Sequence, residues 1–478
     1  MEILLVLIYT YNSRVDDFCG TERTDMDIRE RIEQLTPEML DVLGRLVKYD
    51  SQLGESRPGM PFGEGPAGVL KEALEIADSM GFETRNLDNY CGYAQVGEGD
   101  RIIGLVAHLD IVPPGDGWNT DPFTMTRIGD VVYGRGVSDD KGAAVASLYT
   151  LKLLQESGIA PDSRIRVIFG CNEETGSKCM EYYNKVEEPV TLGFTPDGEF
   201  PGIHGEKGML KMTARSKNTK IISIDGGFVS NAVCHHCVTV VSADDVDRDR
   251  LERALSGTGL VSYQLSEKDG KITIDADGKA AHASTPELGI NAAGWTMKAL
   301  EEAGMEDDFV KYYNSHIGLG ADGAGYGINV RDEYGSLTLN NGIISLKDGQ
   351  ITATVDIRFP VTFTADQLKE MAAPYLEDKN GVTTIDSSTE PLFYPEDSEL
   401  VQALYSAYVE VTHDTKARPM VIGGGTYAKS VPGIIAFGCQ FGETENYIHN
   451  ANERLLISEL QKQVEIYIQA VRNLLKLK

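Results

Sequence analysis

The first half of the chain alternates between amphipathic stretches and short, almost uninterrupted apolar runs. Apolar residues recur at roughly helical spacing from Asp27 to Lys48 and again over residues 68–81, which predicts two helices. The run from Ile102 to Val112 is too short for most helices and rich in β-branched residues, which favours a buried parallel strand. The pattern then predicts a helix over Lys141–Ser157 and another buried strand over Ile165–Phe169. Strands that alternate with helices favour an α/β domain with a largely parallel sheet.

The pattern changes after about Gly208. Two dipeptides that are typical of hairpin turns, Asp269-Gly270 and Asp348-Gly349, each lie between strand-like runs. A strand followed by a helix at residues 236–255 recurs at residues 351–373, which suggests two related lobes. The middle of the chain is therefore predicted to form a smaller, two-lobed α+β domain.

The domain boundaries follow from the point at which the pattern of the first half of the chain returns after the middle domain. At 478 residues the chain exceeds the size at which one hydrophobic core keeps growing, so two domains are expected. Helical, glycine-rich character returns from roughly Glu390. We therefore predict a mixed, largely parallel-sheet domain from residues 26–208 and 385–478, interrupted by an inserted domain of residues 209–384. Residues 1–25 are expected to be an extension that is either poorly ordered or the product of a misassigned start.

The composition of the chain limits the classes of partner that are expected to bind it. Acidic residues outnumber basic ones by 73 to 44, which gives a net charge of −29. A field of that sign repels phosphate backbones and anionic lipid headgroups, so no nucleic-acid or membrane partner is expected. The seven cysteines are an odd number without regular spacing, which fits a reducing, cytoplasmic setting better than a disulfide framework. The apolar run at residues 1–8 is too short to span a bilayer and lacks the cationic region of a secretion signal.

One cysteine cluster needs separate consideration. The sequence Cys234-His235-His236-Cys237 is a C-x-x-C segment that encloses two histidines, and it resembles half of a structural zinc site. No second pair lies at a matching spacing in the sequence. A β-strand with alternating faces is therefore the favoured interpretation of these four residues.

Five short segments supply residue types that bind metal ions. The first four follow or end apolar, β-branched runs, and ligand sites in open α/β sheets lie beyond the carboxyl ends of the strands. Imidazoles and carboxylates without thiolates suit zinc or a similar borderline metal. We predict that the segments meet around two adjacent divalent ions, with zinc as the expected metal. The segments are His108-Leu109-Asp110, Ser138-Asp139-Asp140-Lys141-Gly142, Asn172-Glu173-Glu174-Thr175-Gly176, Pro196-Asp197-Gly198 and Ile448-His449-Asn450.

The first two segments suggest separate tasks for their members. His108 and Asp110 are two apart on a predicted strand, so their side chains leave the same face. One can bind a metal through an imidazole nitrogen while the other fixes the orientation and basicity of the ring. Two metals about 3.5–4 Å apart need a bridging carboxylate, for which Asp139 is the natural candidate. Its neighbour Asp140 precedes a predicted helix, where capping or another structural role is the favoured interpretation.

The adjacent glutamates of the third segment can divide two roles. Consecutive side chains at the end of a strand diverge, so Glu174 can bind metal while Glu173 faces the water between the metals. Glu173 would then be the general base, taking a proton from that water and passing it to a leaving amine. Thr175-Gly176 places the pair in a tight turn after a buried strand, which favours these roles over a solvated pair of glutamates.

Taken together, these residues resemble the M20 family of co-catalytic zinc metallopeptidases, and within it the bacterial dipeptidases of the PepV type. The similarity runs from about Met26 to the C-terminus. Four segments in the same order carry most of it. They are Tyr133-Gly134-Arg135-Gly136-Val137-Ser138-Asp139-Asp140-Lys141-Gly142, Glu173-Glu174-Thr175-Gly176-Ser177, Phe194-Thr195-Pro196-Asp197-Gly198-Glu199-Phe200-Pro201 and His449-Asn450-Ala451-Asn452-Glu453.

The resemblance implies a zinc-peptidase-like fold with two zinc ions and five protein ligands. Asp139 would lie between the two ions, and Glu173 would act as the base. The peptide bond between Asp139 and Asp140 would be cis. The other ligands would be His108 and Asp197 on one ion, and Glu174 and His449 on the other.

The inserted domain resembles the lid of the same family. The segment Gly278–Ser284 matches a motif whose histidine stabilises the tetrahedral oxyanion, which implies that role for His282. By the same resemblance Asn231 assists the oxyanion, while Arg358 and Gly424 would bind the C-terminal carboxylate of the substrate. A two-lobed lid imitates within one chain what other members obtain by dimerisation, so a monomer is expected.

Three functions follow from this resemblance. The first is the metal-dependent hydrolysis of dipeptides, with a short peptide as substrate. The second keeps the metal site but acts on N-acyl- or N-carbamoyl-amino acids, as other branches of the family do. The third is a non-catalytic peptide-binding protein on the same fold. The chain keeps Glu173 and all five implied ligands, and this favours an enzyme.

Overall fold

The computed structural model describes residues 28–158, 162–216, 218–442 and 444–477. The extension predicted for residues 1–25 lies outside these ranges. The chain divides into two compact units. The first unit comprises the chain up to His204 together with Tyr394–Met420 and Thr426–Lys478, and the second comprises Gly205–Phe393 and Val421–Gly425.

The described residues form helices and strands throughout both units. The helices are α1 (residues 28–47), α2 (Glu64–Ser79), α3 (Lys141–Glu156), α4 (Lys178–Val186), α5 (Arg248–Ser256), α6 (Ala292–Glu302), α7 (Asp308–His316), α8 (Ala365–Ala372), α9 (Glu399–Thr412) and α10 (Ile457–Lys476). The strands are β1 (Glu83–Leu87), β2 (Cys91–Val96), β3 (Arg101–His108), β4 (Thr126–Ile128), β5 (Val131–Tyr133), β6 (Ser163–Gly170), β7 (Leu192–Thr195), β8 (Ile203–Glu206), β9 (Gly208–Ser216), β10 (Ser223–Gly226), β11 (His236–Ser242), β12 (Ser262–Lys268), β13 (Lys271–Asp277), β14 (Arg331–Asp332), β15 (Gly335–Ser336), β16 (Thr338–Lys347), β17 (Gln350–Phe359), β18 (Val382–Thr389), β19 (Leu392–Phe393), β20 (Met420–Ile422), β21 (Ile434–Ala436) and β22 (Arg454–Leu456).

The first unit is built on a mixed sheet whose strands follow the order β1-β2-β6-β3-β7-β21. The neighbours β6, β3, β7 and β21 run parallel, whereas β1 and β2 are antiparallel. Every residue of β3 after Arg101 is buried, because strands flank both of its edges and helices cover the sheet. This explains the continuous apolar run in the sequence. The predicted largely parallel sheet is confirmed.

The second unit is an antiparallel sheet with helices packed against it. Eight strands follow the order β12-β13-β11-β10-β16-β17-β9-β18. Helix α6 packs on β11 and β13, while α7 and α8 pack on β9. Both predicted hairpins are present, joining β12 to β13 and β16 to β17. Asp269-Gly270 and Asp348-Gly349 all have positive φ angles, as a tight two-residue hairpin turn requires.

The second unit extends past the predicted insertion of residues 209–384. Strand β18 runs to Thr389 and pairs with β9, so its residues belong to the same sheet. The two predicted lobes lie in one continuous sheet, because β10 pairs with β16. The end of the second unit and the joining of its two lobes both depend on pairing between strands that are distant in sequence. Hydrophobic periodicity does not reveal such pairing.

The strand predicted over Cys234–Cys237 is only partly correct. Strand β11 begins at His236, and both cysteines are fully buried. In an extended strand, residues three apart would face opposite sides. Cys234 precedes β11, so the alternation of that strand does not apply to it, and both thiols can lie in the interior.

Within the described ranges, no helix combines the length and the apolar character needed to cross a bilayer.

Candidate active site

The predicted metal ligands of the first unit gather at one edge of its sheet. Strand β3 is parallel to both β6 and β7, so the three strands end on the same side. His108 is the last residue of β3, Glu174 follows β6, and Asp197 follows β7. The spatial convergence expected from the strand ends is therefore a direct result of the parallel pairing.

Asp139 lies between two histidines that are far apart in sequence. Its Oδ1 is 3.0 Å from Nε2 of His108, and its Oδ2 is 2.9 Å from Nε2 of His449. Asp197 Oδ2 lies 3.9 Å from Nε2 of His108, and Glu174 Oε2 lies 3.3 Å from Nε2 of His449. The five side chains thus form two groups of three that share Asp139, and the ligand atoms within each group lie within 4.8 Å of one another.

These residues fit a pair of divalent metal ions. The two oxygens of Asp139 face different groups, which is the arrangement that a bridging carboxylate requires. Glu174 Oε1 is buried and has no hydrogen-bond partner, so it has a lone pair available for a metal. The donors are imidazole nitrogens and carboxylate oxygens, the ligands that zinc and similar ions take.

Hydrogen bonds among these groups shift their pKa values. Burial disfavours the charged carboxylate of Asp139, yet hydrogen bonds with His108 and His449 hold its pKa below the ordinary value. The His449 side chain is 53% exposed, so desolvation acts only in part against its charged form, and hydrogen bonds to Asp139 and Glu174 raise its pKa to about 11. The carboxylates at this edge of the sheet therefore stabilise positive charge beside them.

Asp110 holds two parts of the site at once. Its backbone oxygen lies 3.0 Å from Nδ1 of His108. A carbonyl can only accept, so Nδ1 carries the proton and Nε2 is left to bind a metal. The carboxylate of Asp110 accepts the backbone N–H groups of Glu173 at 3.0 Å and Glu174 at 3.1 Å. The sequence predicted that the side chain of Asp110 orients the ring; the nearer contact to Nδ1 comes from its main chain, and its Oδ1 lies 3.5 Å away.

Glu173 lies beside the predicted metal ligands, after the end of β6. Desolvation in the site, followed by repulsion from Asp197, raises the pKa of Glu173 well above its ordinary value. A carboxylate with a raised pKa can hold a proton that it takes from water, which is what a general base must do.

A buried glutamate that sequence reasoning left without a role fixes the loop before α3. Glu453 Oε1 accepts the backbone N–H groups of Ser138 at 2.8 Å and Asp139 at 3.1 Å. Its Oε2 accepts from the backbone of Gly136 at 3.0 Å and from Arg135 Nη1 at 2.6 Å. The motif containing Glu453 was visible in the sequence, but its contacts reach more than 300 residues back along the chain.

Asp140 follows Asp139, the predicted bridging carboxylate, and precedes α3. The peptide bond between Asp139 and Asp140 is cis, as the family resemblance implied. Asp140 occupies the N-cap position of α3, but its side chain makes no capping hydrogen bond. Instead, its Oδ2 accepts the backbone N–H of His108 at 3.1 Å. This contact favours the structural alternative over helix capping.

The remaining predicted residues lie in the second unit and form a group of their own. The segment with Asn231 pairs with the segment that carries His282: Ala283 N–H donates to the backbone oxygen of Asn231 at 2.9 Å, and Ala232 pairs with His282. Both Asn231 and His282 are exposed. His282 Nδ1 lies 2.7 Å from Oγ of Ser284, which fixes one side of the ring.

Arg358 and the glycine-rich loop join the same group. Arg358 Nε and Nη2 donate to the two oxygens of Asp356 at 2.6 and 3.0 Å, and Nη1 donates to the backbone oxygen of Gly423 at 3.2 Å. A Cβ on Gly423 would lie only 2.4 Å from Cβ of Ser284, so only glycine permits this approach. Gly424 follows in the same loop and is partly buried. Asp356 on one side, and Gly423 together with Met209 Sδ at 2.7 Å on the other, hold the guanidinium in one orientation.

The sequence matches one family model and is similar to proteins of nearly the same length. The family model described as "Peptidase family M20/M25/M40" matches residues 104–473. A protein of Staphylococcus haemolyticus (strain JCSC1435) named "Putative dipeptidase SH1171" is 30% identical over 465 residues, which are 93% of this chain and 99% of that protein. A protein of Staphylococcus aureus (strain USA300), also named as a dipeptidase of this kind, is 30% identical over 466 residues, with the same coverage of 93% and 99%.

Comparisons of the fold find solved structures over nearly the whole chain. Human carnosine dipeptidase 1 is similar with a TM-score of 0.58 at 14% identity, over 95% of this chain and 99% of that one. The dipeptidase Dug1p of Saccharomyces cerevisiae is similar with a TM-score of 0.54 at 14% identity, over 95% and 99% of the two chains. At such identities the likeness concerns the fold, and the predicted fold class is confirmed.

Proposed function

The chain belongs to the peptidase family M20/M25/M40, and from this premise we propose that it hydrolyses dipeptides with the help of two divalent metal ions. The family predicted from the sequence is confirmed, and the protein is accordingly a metal-dependent peptidase. One observation carries the proposal for its site: the two oxygens of Asp139 lie 3.0 and 2.9 Å from two histidines, His108 and His449.

The proposed metal ligands are His108 and Asp197 on one side of Asp139, and Glu174 and His449 on the other. Divalent ions held there would polarise the peptide carbonyl and lower the pKa of the water between them. Asp110 orients His108 and fixes the backbone of the glutamate pair.

Glu173 is proposed to move the proton. It takes a proton from the attacking water and delivers it to the leaving amine, which must be protonated to depart. Its raised pKa suits both steps. His282 and Asn231 are proposed to donate hydrogen bonds to the oxyanion that develops on the peptide carbonyl.

Arg358 and Gly424 are proposed to bind the C-terminal carboxylate of the substrate. The ion pair with Asp356 and the contact of Nη1 with the Gly423 backbone hold the guanidinium of Arg358 in one orientation beside the loop that contains Gly424. A requirement for a free carboxylate would limit substrates to short peptides.

A second candidate is the hydrolysis of N-acyl- or N-carbamoyl-amino acids at the same metal pair. The dipeptidase names of full-length relatives favour the peptide reaction. The non-catalytic alternative is disfavoured because Glu173 and the five proposed ligands are all present. We further propose zinc as the metal and the cytoplasm as the location. We propose a monomer as the assembly, since one chain contains both the metal site and the inserted unit.

A substrate panel tests the proposal. Purified protein is incubated with dipeptides and with N-acetyl-amino acids, first as isolated, then after chelation, and finally after zinc, manganese or cobalt is restored. We expect dipeptide hydrolysis that chelation removes and metal restores. Turnover of the N-acetyl-amino acids alone would favour the second candidate, and turnover that persists after complete metal removal would contradict the proposal.

A further inference from the structure

The cysteines of the Cys234–Cys237 segment have no part in the proposed reaction, and the structure places their thiols together. Both residues are fully buried in the core of the second unit. A Cβ on Gly226 would lie 3.1 Å from Sγ of Cys234 and 2.9 Å from Sγ of Cys237. The two sulfur atoms therefore face one point, and the missing side chain of Gly226 leaves the space between them.

The local backbone and hydrogen bonds maintain this pairing. The Cys234 thiol donates to the backbone oxygen of His236 at 3.4 Å, and the Cys237 thiol lies 3.6 Å from Oγ1 of Thr239. A hydrogen bond from the Cys237 thiol lowers the pKa of Cys234 against the opposing effect of burial. One thiol is thus the better nucleophile, and the other is next to it.

The arrangement does not suit a metal ion. Among the residues that the structure describes, neither thiol belongs to a group of three or more metal-binding side chains. His236 turns away from the pair, and its Nδ1 lies 2.9 Å from Oδ1 of Asp277. The half zinc site considered from the sequence therefore lacks further ligands in the described part of the chain.

We propose that Cys234 and Cys237 form a reversible disulfide when the enzyme meets hydrogen peroxide. The Cys234 thiolate attacks one peroxide oxygen, which gives a sulfenic acid and hydroxide. The Cys237 thiol then attacks the sulfenic sulfur, the S–S bond forms and the hydroxyl group leaves as water. The hydroxide takes up the proton that the Cys234 thiol lost on ionisation, so that in total two thiols are oxidised and one peroxide is reduced to two water molecules. A small uncharged oxidant is required because both thiols are buried.

The disulfide would act on the segment that carries Asn231. Bond formation brings two sulfur atoms to about 2.05 Å, so Cys234 and Cys237 have to move toward each other. Asn231 is three residues before Cys234 and is hydrogen-bonded to Ala283, while Ala232 pairs with His282. A shift of Cys234 is therefore transmitted to both proposed oxyanion residues. We expect several-fold slower turnover in the oxidised enzyme, and this effect alone rests on the proposed function.

Mass mapping of the native protein tests the disulfide itself. The metal-loaded enzyme is treated with hydrogen peroxide, its remaining thiols are alkylated in denaturant, and its tryptic peptides are identified with and without prior reduction by dithiothreitol. We expect the peptide holding Cys234 and Cys237 to escape alkylation, to lose two hydrogen atoms and to regain both on reduction. Free thiols at both positions, or irreversible sulfinic acid at either, would overturn the proposal.

Two variants test the consequence for turnover. Cys237→Ala removes the second thiol, so the reversible loss of activity under peroxide should disappear. Cys91→Ala removes an equally buried thiol of the first unit and should leave that loss unchanged. If Cys237→Ala responds to peroxide like the native enzyme, the assignment fails. A protein without dipeptidase activity would count against the proposed function only, because the mass mapping does not depend on turnover.

Discussion

The two units hold their candidate residues in different ways. In the first unit Asp139 is hydrogen-bonded to both His108 and His449, and the buried carboxylates of Asp110 and Glu453 fix the backbone around the proposed ligands. In the second unit Asn231 and His282 are exposed, and only Arg358 is held by a buried ion pair. Clustered carboxylates need fixed partners before any metal binds. Groups that act on charge developing during the reaction can remain accessible to substrate.

The largest effect should come from a first-unit residue that does not bind metal. Glu173→Ala removes the proposed base, and we expect kcat to fall by about 10²–10⁴-fold because the proton transfer loses its positioned acceptor. Metal content and thermal unfolding should stay near those of the native protein. Steady-state kinetics with a dipeptide and metal analysis by mass spectrometry measure both. The exposed Glu181→Ala is the matched control, and native turnover by Glu173→Ala would remove Glu173 from the mechanism.

The next effect concerns the stability of the first unit. Glu453→Ala leaves Arg135 buried without its ion-pair partner and removes the acceptor for three backbone N–H groups. We expect the free energy of unfolding to fall by about 3–5 kcal/mol, as for other buried pairs that lose one partner. Denaturant unfolding of the apoprotein measures it.

An exposed ion pair provides the control for that measurement. Glu445→Ala breaks the pair between Glu445 and Arg454, whose side chains are 71% and 32% exposed. We expect a change of about 1 kcal/mol or less, because water screens such a pair. If both variants lost the same free energy of unfolding, burial would not be the reason that the Arg135–Glu453 pair stabilises the protein.

The second unit should affect catalysis without affecting metal content. His282→Ala removes a proposed oxyanion donor, and we expect kcat to fall by about 10²–10³-fold. The number of bound metal ions should not change, since all five proposed metal ligands lie in the first unit. His236→Ala removes another histidine of the same unit, with a partly exposed side chain, and should leave kcat unchanged. Loss of metal in His282→Ala would contradict this division of roles.

The smallest expected effect is on metal affinity, and it tests whether the carboxylate of Asp110 supports the metal ligands. Asp110→Asn keeps the backbone oxygen that holds His108 but weakens acceptance from Glu173 and Glu174. We expect metal affinity to fall by about 10–100-fold, the usual cost of disturbing a group that supports metal ligands. Competition with a chelator measures the affinity, and Asp116→Asn, an exposed aspartate, is the control. An unchanged affinity would mean that the ligands keep their places without this carboxylate.

Much of the first unit could be predicted because local signals and geometry agree there. The apolar runs that form β3 and β6 and the turn dipeptides of the second unit are visible in short windows of sequence. Once the strands are parallel, the convergence of His108, Glu174 and Asp197 follows from their positions at strand ends.

The rest depends on contacts that no short window contains. The role of Glu453 requires a hydrogen bond to residues more than 300 positions earlier. The end of the second unit depends on the pairing of β18 with β9. The position of Cys234 and Cys237 on either side of the Cβ position of Gly226 depends on how the core of the second unit packs.

The central claim is that Asp139 bridges two metal ions, and metal stoichiometry tests it most directly. Native protein and Asp139→Ala are saturated with zinc, freed of excess ion by dialysis and analysed by inductively coupled plasma mass spectrometry. We predict two zinc ions per native chain, and at most one in the variant together with loss of dipeptide hydrolysis. Two ions retained by Asp139→Ala, or full activity in a native chain that holds fewer than two, would contradict it.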